Sequence, residues 1–348
     1  MKYNQKKGGC IRMENKKKKK HTGRVILLVI VILLLAGAGA FALQWFRRSD
    51  PGDTVRYETT NVNINKTTLV SAHRSGAGIM PEETMMAFRN CVENSAAAVD
   101  IFEFDVRITK DGVLVLLHDV TLDRTSDCEE VFGETDVRPE NKTLAELRRL
   151  NMGAKFTTDD GRTPFAGLAP DEVPDEIRIA TLDEVLDYLE SQGSYRYVIE
   201  IKNEGDLGRK ALAILYDTLV KRDMVERVIL GSFHPEVAAY ADEHYPDLAR
   251  GANPDECVEF LKAMLLGSDG FAPKYKVLQL PFNDFKESKG INLGISEVIN
   301  FAHAHNLAVQ FWTINNEKDA RYLISIGADC VMSDYPDMVN RVKAEMTK

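Results

Sequence analysis

Two carboxylates two residues apart, Glu103 and Asp105, lie inside the apolar run Ile101-Phe102-Glu103-Phe104-Asp105-Val106. Side chains alternate along a strand, so both carboxylates point to one face. Apolar neighbours on either side make this a strand buried on both faces, where two unpaired carboxylates are costly. A cation resolves that cost. Glu200 and Lys202 repeat the spacing in Val198-Ile199-Glu200-Ile201-Lys202, and by themselves read as one buried salt bridge. His73-Arg74 and His118-Asp119 each end a short apolar run, and Phe311-Trp312-Thr313 ends a later one. Taken singly, a histidine at a strand end is commonly solvated or part of a core, and a lone Trp is commonly core. Together they form a more specific set. Glu103, Asp105 and Glu200 offer only oxygen ligands, which suit Ca²⁺ or Mg²⁺ rather than zinc. His73 and His118 supply a general acid and a general base. Arg74 and Lys202 can hold the non-bridging oxygens of an anion. Cleaving a phosphodiester requires these components.

Positioning them calls for strands whose ends converge. From Thr68 onward, short apolar runs alternate with amphipathic segments. Strands are expected at Leu69–His73, Ile101–Ile108, Val113–His118, Tyr197–Lys202, Val228–Ser232, Leu248–Gly251, Val277–Leu280, Ala308–Thr313 and Asp329–Ser333. Helical periodicity falls between them, for example at Glu82–Asn94, Leu207–Arg222 and Ser296–His305. This alternation predicts an α/β fold with a parallel sheet, and its length favours a closed TIM-type (β/α)8 barrel, with reactive groups at the C-terminal strand ends. Lys110–Gly112 is too short for a parallel crossover. Residues 126–180, rich in Gly, Pro, Asp and Thr, read as an insertion above the barrel.

The chain has 348 residues and a net charge of −9, but the charge is unevenly placed. Residues 1–24 carry ten Lys or Arg and one acidic residue, whereas residues 49–348 carry 32 basic and 52 acidic side chains. An acidic body excludes general nucleic-acid binding, which needs clustered Lys and Arg. Between the two lies Val25–Phe46, 22 residues without a charge. As a helix it would extend roughly 33 Å, enough for the hydrocarbon core of a bilayer. Its length and long basic flank favour an uncleaved transmembrane helix over a cleaved signal peptide. The positive-inside rule then makes 1–24 a cytoplasmic tail and puts the acidic domain outside the cell membrane as a single-pass protein. Residues 47–67 read as a stalk and 68–348 as the barrel. The cysteines at 10, 91, 128, 257 and 330 match no disulfide framework or zinc motif, and those of the barrel read as buried thiols.

The ordered motifs resemble the glycerophosphodiester phosphodiesterase family. They are His73-Arg74-Ser75-Gly76, Pro81-Glu82-Glu83-Thr84 with Ala87-Phe88, Glu103–Val106, Thr109–Gly112, His118-Asp119 and Leu122-Asp123-Arg124-Thr125. Later come Thr181–Leu186, Glu200-Ile201-Lys202, Ser232–Glu236, Phe311–Asn315 and Ser333–Pro336. The resemblance covers Thr68–Val342. It departs from the family's pattern at Ser75, where Gly is usual, and at Glu83, where Asn is usual. It implies a TIM-type barrel with an early hairpin and an insertion. It also implies metal ligation by Glu103, Asp105 and Glu200, acid/base work by His73 and His118, and phosphate contacts from Arg74 and Lys202. Glu82 would orient Arg74 or approach the metal shell, and Trp312 would line a glycerol pocket.

The expected activity is metal-dependent hydrolysis of glycerophosphodiesters to an alcohol and sn-glycerol 3-phosphate, on a small-molecule or lipid-derived substrate. Attack comes either from water directly or from the glycerol 2-hydroxyl through a cyclic phosphate. Neighbouring readings are a lysophospholipase D-like action and cleavage of glycerophosphate polymers. A reading from a different class, a catalytically inactive membrane-anchored binding module, is disfavoured because the whole ligand and acid/base set is present.

Overall fold

The computed structural model describes residues 48–347, apart from 56, 268–269 and 283–291. The expected cytoplasmic tail and the transmembrane helix at 25–46 lie outside those residues. Among the described residues, no helix is long and apolar enough to cross a membrane. The body from Ser49 onward forms one compact unit.

Its strands are β1 (Leu69–Ala72), β2 (Ile101–Ile108), β3 (Leu114–Leu116), β4 (Arg196–Ile201), β5 (Val228–Gly231), β6 (Val277–Pro281), β7 (Ala308–Trp312) and β8 (Cys330–Ser333). All but β3 lie side by side in the order β5-β4-β2-β1-β8-β7-β6, every pair parallel. A short stave bridges the remaining gap: Arg250 pairs with Leu230 of β5 and Gly251 with Val277 of β6, again in parallel. The architecture is the expected TIM-type barrel. The strand expected at Leu248–Gly251 shrinks to this bridge because Asn253 immediately caps the next helix, Pro254–Leu266, in a reciprocal capping box with Glu256. β3 folds back antiparallel on β2 with Val106 opposite Leu116, as the short Lys110–Gly112 connection requires.

Strand alternation sorts the side chains. Phe102, Phe104 and Val106 of β2 join Phe88, Tyr197 and Ile199 in the core between strands and helices. Phe88 lies 5.7 Å from Phe102 and 5.5 Å from Phe104, centroid to centroid. Inside the barrel, Ile101, Val198, Ile229, Val277, Ala308, Cys330 and Met332 fill the lower layer. Two residues farther up β2, β4, β6 and β7 the apolar fill ends, and Glu103, Glu200, Gln279 and Gln310 take its place. Gln279 donates to Gln310 across the β6–β7 pair at 3.2 Å. Cys91, Cys128 and Cys330 are buried free thiols, and Cys257 is half-buried and free.

The insertion builds a small core from Cys128, Val137, Leu147, Leu150, Met152 and Ile179 with Val115 of β3 and Leu117 and Leu122 of the loop after it. It is fastened to the loop after β8, where the Tyr335 hydroxyl donates to Asp159 at 2.7 Å.

The segment read as a stalk differs from that expectation: residues 49–55 and 57–65 are docked on the barrel. The Ser49 amide donates to the Tyr322 hydroxyl, and the Ser49 hydroxyl accepts from the Ser296 amide at the start of helix Ser296–Ala304. Farther along, Thr54 donates to Ile326 O, and Asn300 donates to Asp53 O at 2.9 Å. Asn61 then donates to Lys276 O and Asn306 O, Asn63 accepts from Arg196, and the Asn65 amide donates to Asp329. The strap thus runs down one side and crosses the N-terminal ends of β4, β6, β7 and β8. Its polar composition fits this work, because the strand entries present backbone carbonyls that need donors. Asn61 and Asn63 are buried. Removing the strap breaks these hydrogen bonds, each contributing about 0.5–1.5 kcal/mol net. A chain beginning at residue 67 is therefore expected to melt at least about 5 °C below one beginning at residue 49. Coincident melting curves would show that the strap is an idle tether.

Candidate active site

Every residue singled out from the sequence comes to the C-terminal mouth of the barrel. Glu103 and Asp105 rise from β2 into the interior, and the register sets Asp105 beside Glu200 of β4. One oxygen from each of Glu103, Asp105 and Glu200 lies within 4.8 Å of the others. Glu103 and Asp105 are buried. Lys202 Nζ donates to Glu200 Oε1 at 2.8 Å and lies 3.4 Å from Asp105 Oδ1, while Arg74 Nε lies 3.8 Å from Asp105 Oδ2. The expected single salt bridge between Glu200 and Lys202 is thus one part of a larger cluster. Apart from the neighbouring Glu83 carboxyl, no side chain among the described residues hydrogen-bonds the carboxylate oxygens of Asp105. Buried, orphaned oxygens in an all-carboxylate set are what a hard divalent cation satisfies, and the cluster can bind one.

The electrostatics follow from crowding. Burial, reinforced by the Asp105 charge, pushes the Glu103 carboxyl up to about 7. Burial also raises Glu200. Asp105 goes the other way: burial opposes its charge, but Lys202, His118, a hydrogen bond with Glu83 and Arg74 hold it well below the usual carboxylate range. Burial opposes the charge on Lys202 too, and is outweighed by Asp105 and Glu200, so the ammonium persists.

His73 caps β1 and opens a turn in which Arg74 (φ 47°), Ser75 (φ 62°) and Gly76 (φ 86°) are all left-handed. That turn aims the Arg74 amide at Glu103 Oε2, 2.8 Å away. Glu83 is left-handed as well, with φ 58°. The two departures from the family's pattern, Ser75 and Glu83, therefore occupy positions whose backbone favours Gly and Asn. Glu83 has a compensating contact: its buried Oε1 accepts the Asp105 amide at 2.7 Å. Burial and the neighbouring Asp105 push its carboxyl well above the usual range.

Each histidine has one ring nitrogen engaged. His73 Nδ1 lies 2.6 Å from Asp334 Oδ1, whose other oxygen accepts from Asn315 at 2.6 Å. His118 Nδ1 lies 2.6 Å from Asp119 Oδ1. In both rings Nε2 makes no hydrogen bond among the described residues. Burial works to lower the His73 pKa, but the bond to Asp334 and the Glu103 charge raise it overall. Burial lowers that of His118 despite Asp119. Glu82 accepts from Arg74 Nη1 at 3.3 Å, a contact of the kind expected of a residue that orients Arg74. Trp312 is half-buried at the end of β7, edge-on to Phe233 at 6.2 Å, and Lys202 Nζ lies 5.4 Å from the Phe233 ring centre.

Sequence reasoning assigned no role to Arg107, Asp119, Arg124, Asn315 or Asp334. Arg107 was within reach, since it continues the inward series Glu103, Asp105 by one more alternation. Its guanidinium donates to Lys202 O and His118 O and so ties the ends of β4 and β3 together. The others belong to recognised motifs, but their partners lie far away in sequence.

Two histidines and two cations around an oxygen-only carboxylate cluster, at the mouth of a barrel, fit the class of phosphoric diester hydrolases. Residues 73–338 match the model of the Glycerophosphoryl diester phosphodiesterase family, and the chain belongs to that family. A glycerophosphodiester phosphodiesterase of Caldanaerobacter subterraneus is 30% identical over 280 residues, covering 79% of this chain and 98% of the relative. One from Bacillus subtilis is 28% identical over 283 residues, covering 79% and 86%. Among solved structures, a glycerophosphodiester phosphodiesterase from Agrobacterium tumefaciens aligns with a TM-score of 0.58 at 20% identity, covering 79% of this chain and 99% of that one. An Oleispira antarctica phosphodiesterase in complex with the product sn-glycerol-3-phosphate aligns with a TM-score of 0.56 at 23% identity, covering 81% and 98%.

The raised Glu103 carboxyl makes metal binding a competition with protons. A carboxyl at about 7 in the fold and near 4.3 unfolded stabilises the metal-free protein fully only below the unfolded value, and that stability is lost as pH rises through 7. A cation binds the deprotonated form. Saturating Ca²⁺ or Mg²⁺ should therefore raise the melting temperature more at pH 8 than at pH 6. The shift of Asp105 lies in the acid range and does not enter this window. Equal stabilisation at both pH values, or none at either, would remove the cluster as the binding site.

Proposed function

We propose that this protein hydrolyses glycerophosphodiesters to an alcohol and sn-glycerol 3-phosphate, using Ca²⁺ or Mg²⁺ held by Glu103, Asp105 and Glu200. The observation that carries this reading is the convergence of the carboxylates, Arg74, Lys202 and two histidines with free Nε2 atoms on one mouth. A bound divalent cation supplies positive charge to offset that of the phosphate. Arg74 and Lys202 hold the non-bridging oxygens, and their own carboxylate partners keep both side chains extended toward the site. One histidine accepts the proton of the attacking hydroxyl and the other protonates the departing alkoxide. Asp334 and Asp119 fix which ring nitrogen is available to each.

A second reading, removal of a head group from a lysophospholipid, is favoured by the exposed apolar side chains Val120 and Phe233, which follow β3 and β5 at this mouth. The charge-free stretch at 25–46 extends the proposal to a single-pass protein of the cell membrane with the barrel outside. Protease added to intact cells should then remove the barrel, and a protected barrel would reverse that topology.

Product analysis on glycerophosphocholine, a lysophospholipid and a glycerophosphate polymer tests the substrate class; failure on all three would sink the proposal. Replacing His73 or His118 by Ala should lower kcat by roughly 10²–10⁴. A p-nitrophenyl ester, whose leaving group needs no proton, should rescue only the variant that lacks the general acid. Near-normal kcat in both folded variants would remove the histidines from the chemistry.

A further inference from the structure

Arg124 lies in the loop after β3, about half exposed, and its guanidinium is taken up by two carboxylates. Nε donates to Asp119 Oδ2 at 2.6 Å and Nη2 to Asp119 Oδ1 at 3.2 Å. Nη1 donates to Glu82 Oε2 at 2.8 Å and Nη2 to Glu82 Oε1 at 2.6 Å. Both carboxylates have a second duty. Glu82 Oε1 also holds Arg74, and Asp119 Oδ1 holds His118 Nδ1. An unbroken chain thus runs Arg74, Glu82, Arg124, Asp119, His118, joining the loop after β1 to the loop after β3.

We propose that Arg124 is a positioning residue for the reaction: it sets the phosphate-directed Arg74 and the proton-transferring His118 in register by clamping the carboxylates that hold them. The inference rests on the phosphodiesterase reading above. Without Arg124, Glu82 and Asp119 face each other as like charges and swing apart toward solvent, releasing both side chains they orient. An ordinary exposed ion pair contributes little. Here a planar fork engages two carboxylates, a geometry the single ammonium of Lys cannot reproduce. Arg124 touches neither the carboxylate cluster nor the substrate-facing Nε2 atoms, so its loss should leave the metal site intact.

The test is steady-state kinetics of the metal-loaded protein on glycerophosphocholine. Arg124→Ala should lower kcat/KM by roughly 10–100-fold, the range for residues that orient functional groups. Its divalent-cation affinity, measured by calorimetry, should be unchanged. In a Glu82→Gln, Asp119→Asn background the same replacement should cost less than about threefold, because nothing remains for Arg124 to position. Millimolar guanidinium should restore Arg124→Ala, since the site is open to solvent, and should do nothing in that background. Should Arg124→Ala fail to fold, Arg124→Lys takes its place and must lose at least about fivefold. The proposal is overturned by activity within threefold of the parent, or by an equal loss in both backgrounds, which marks a purely structural clamp. An inactive parent chain would instead refute the phosphodiesterase reading itself.

Discussion

Three carboxylates held inside a barrel, with two protein cations near them, are the constraint on which the rest of this structure depends. Glu103, Asp105 and Glu200 share a space under 5 Å across, and in a medium of low dielectric their mutual repulsion is severe. The fold keeps them there by covalent and topological means. Parallel pairing of β2 with β4 fixes Asp105 opposite Glu200, and the apolar layer beneath leaves no downward escape. Lys202 and Arg74 supply part of the opposing charge. Raised Glu103 and Glu200 carboxyls relieve some of the rest by holding protons, and a cation of the kind proposed above would take their place. The same three groups would be a severe liability in a barrel that bound nothing.

The two ends of the barrel divide the labour accordingly. At the N-terminal end, the asparagine-rich strap satisfies strand-entry carbonyls and the buried Asp329 holds His303 at 2.8 Å, so polar side chains there close a core. At the C-terminal end, polar side chains are oriented in pairs toward an open mouth: Asp334 on His73, Asp119 on His118, Glu82 on Arg74. Backbone strain is stored at this end in the left-handed run Arg74–Gly76 and at Glu83. The Arg74 amide bond to Glu103 and the Glu83 bond to the Asp105 amide help hold those conformations.

Much of this was legible in the sequence because strand alternation is a local rule. The i, i+2 spacings at Glu103/Asp105 and Glu200/Lys202 placed four side chains on the barrel's inner face without knowledge of any partner. Motif order supplied the histidines and Arg74. The parts that were not legible depend on encounters between distant segments. Asp334 lies 261 residues from His73, and Arg124 lies 42 residues from Glu82, so no window of sequence contains either pair. The strap escaped for a related reason. Its polar composition is equally that of a free linker, and only the carbonyls exposed at the strand entries turn it into a docked element.

The most direct test of the central claim is a crystal structure of the protein with Ca²⁺ and sn-glycerol 3-phosphate, collected to give an anomalous signal from the ion. The account predicts one anomalous peak coordinated by Glu103, Asp105 and Glu200, with phosphate oxygens against Arg74 and Lys202 and a histidine Nε2 on each side. An ion bound elsewhere, or a phosphate outside the reach of Arg74, Lys202 and the histidines, would contradict it.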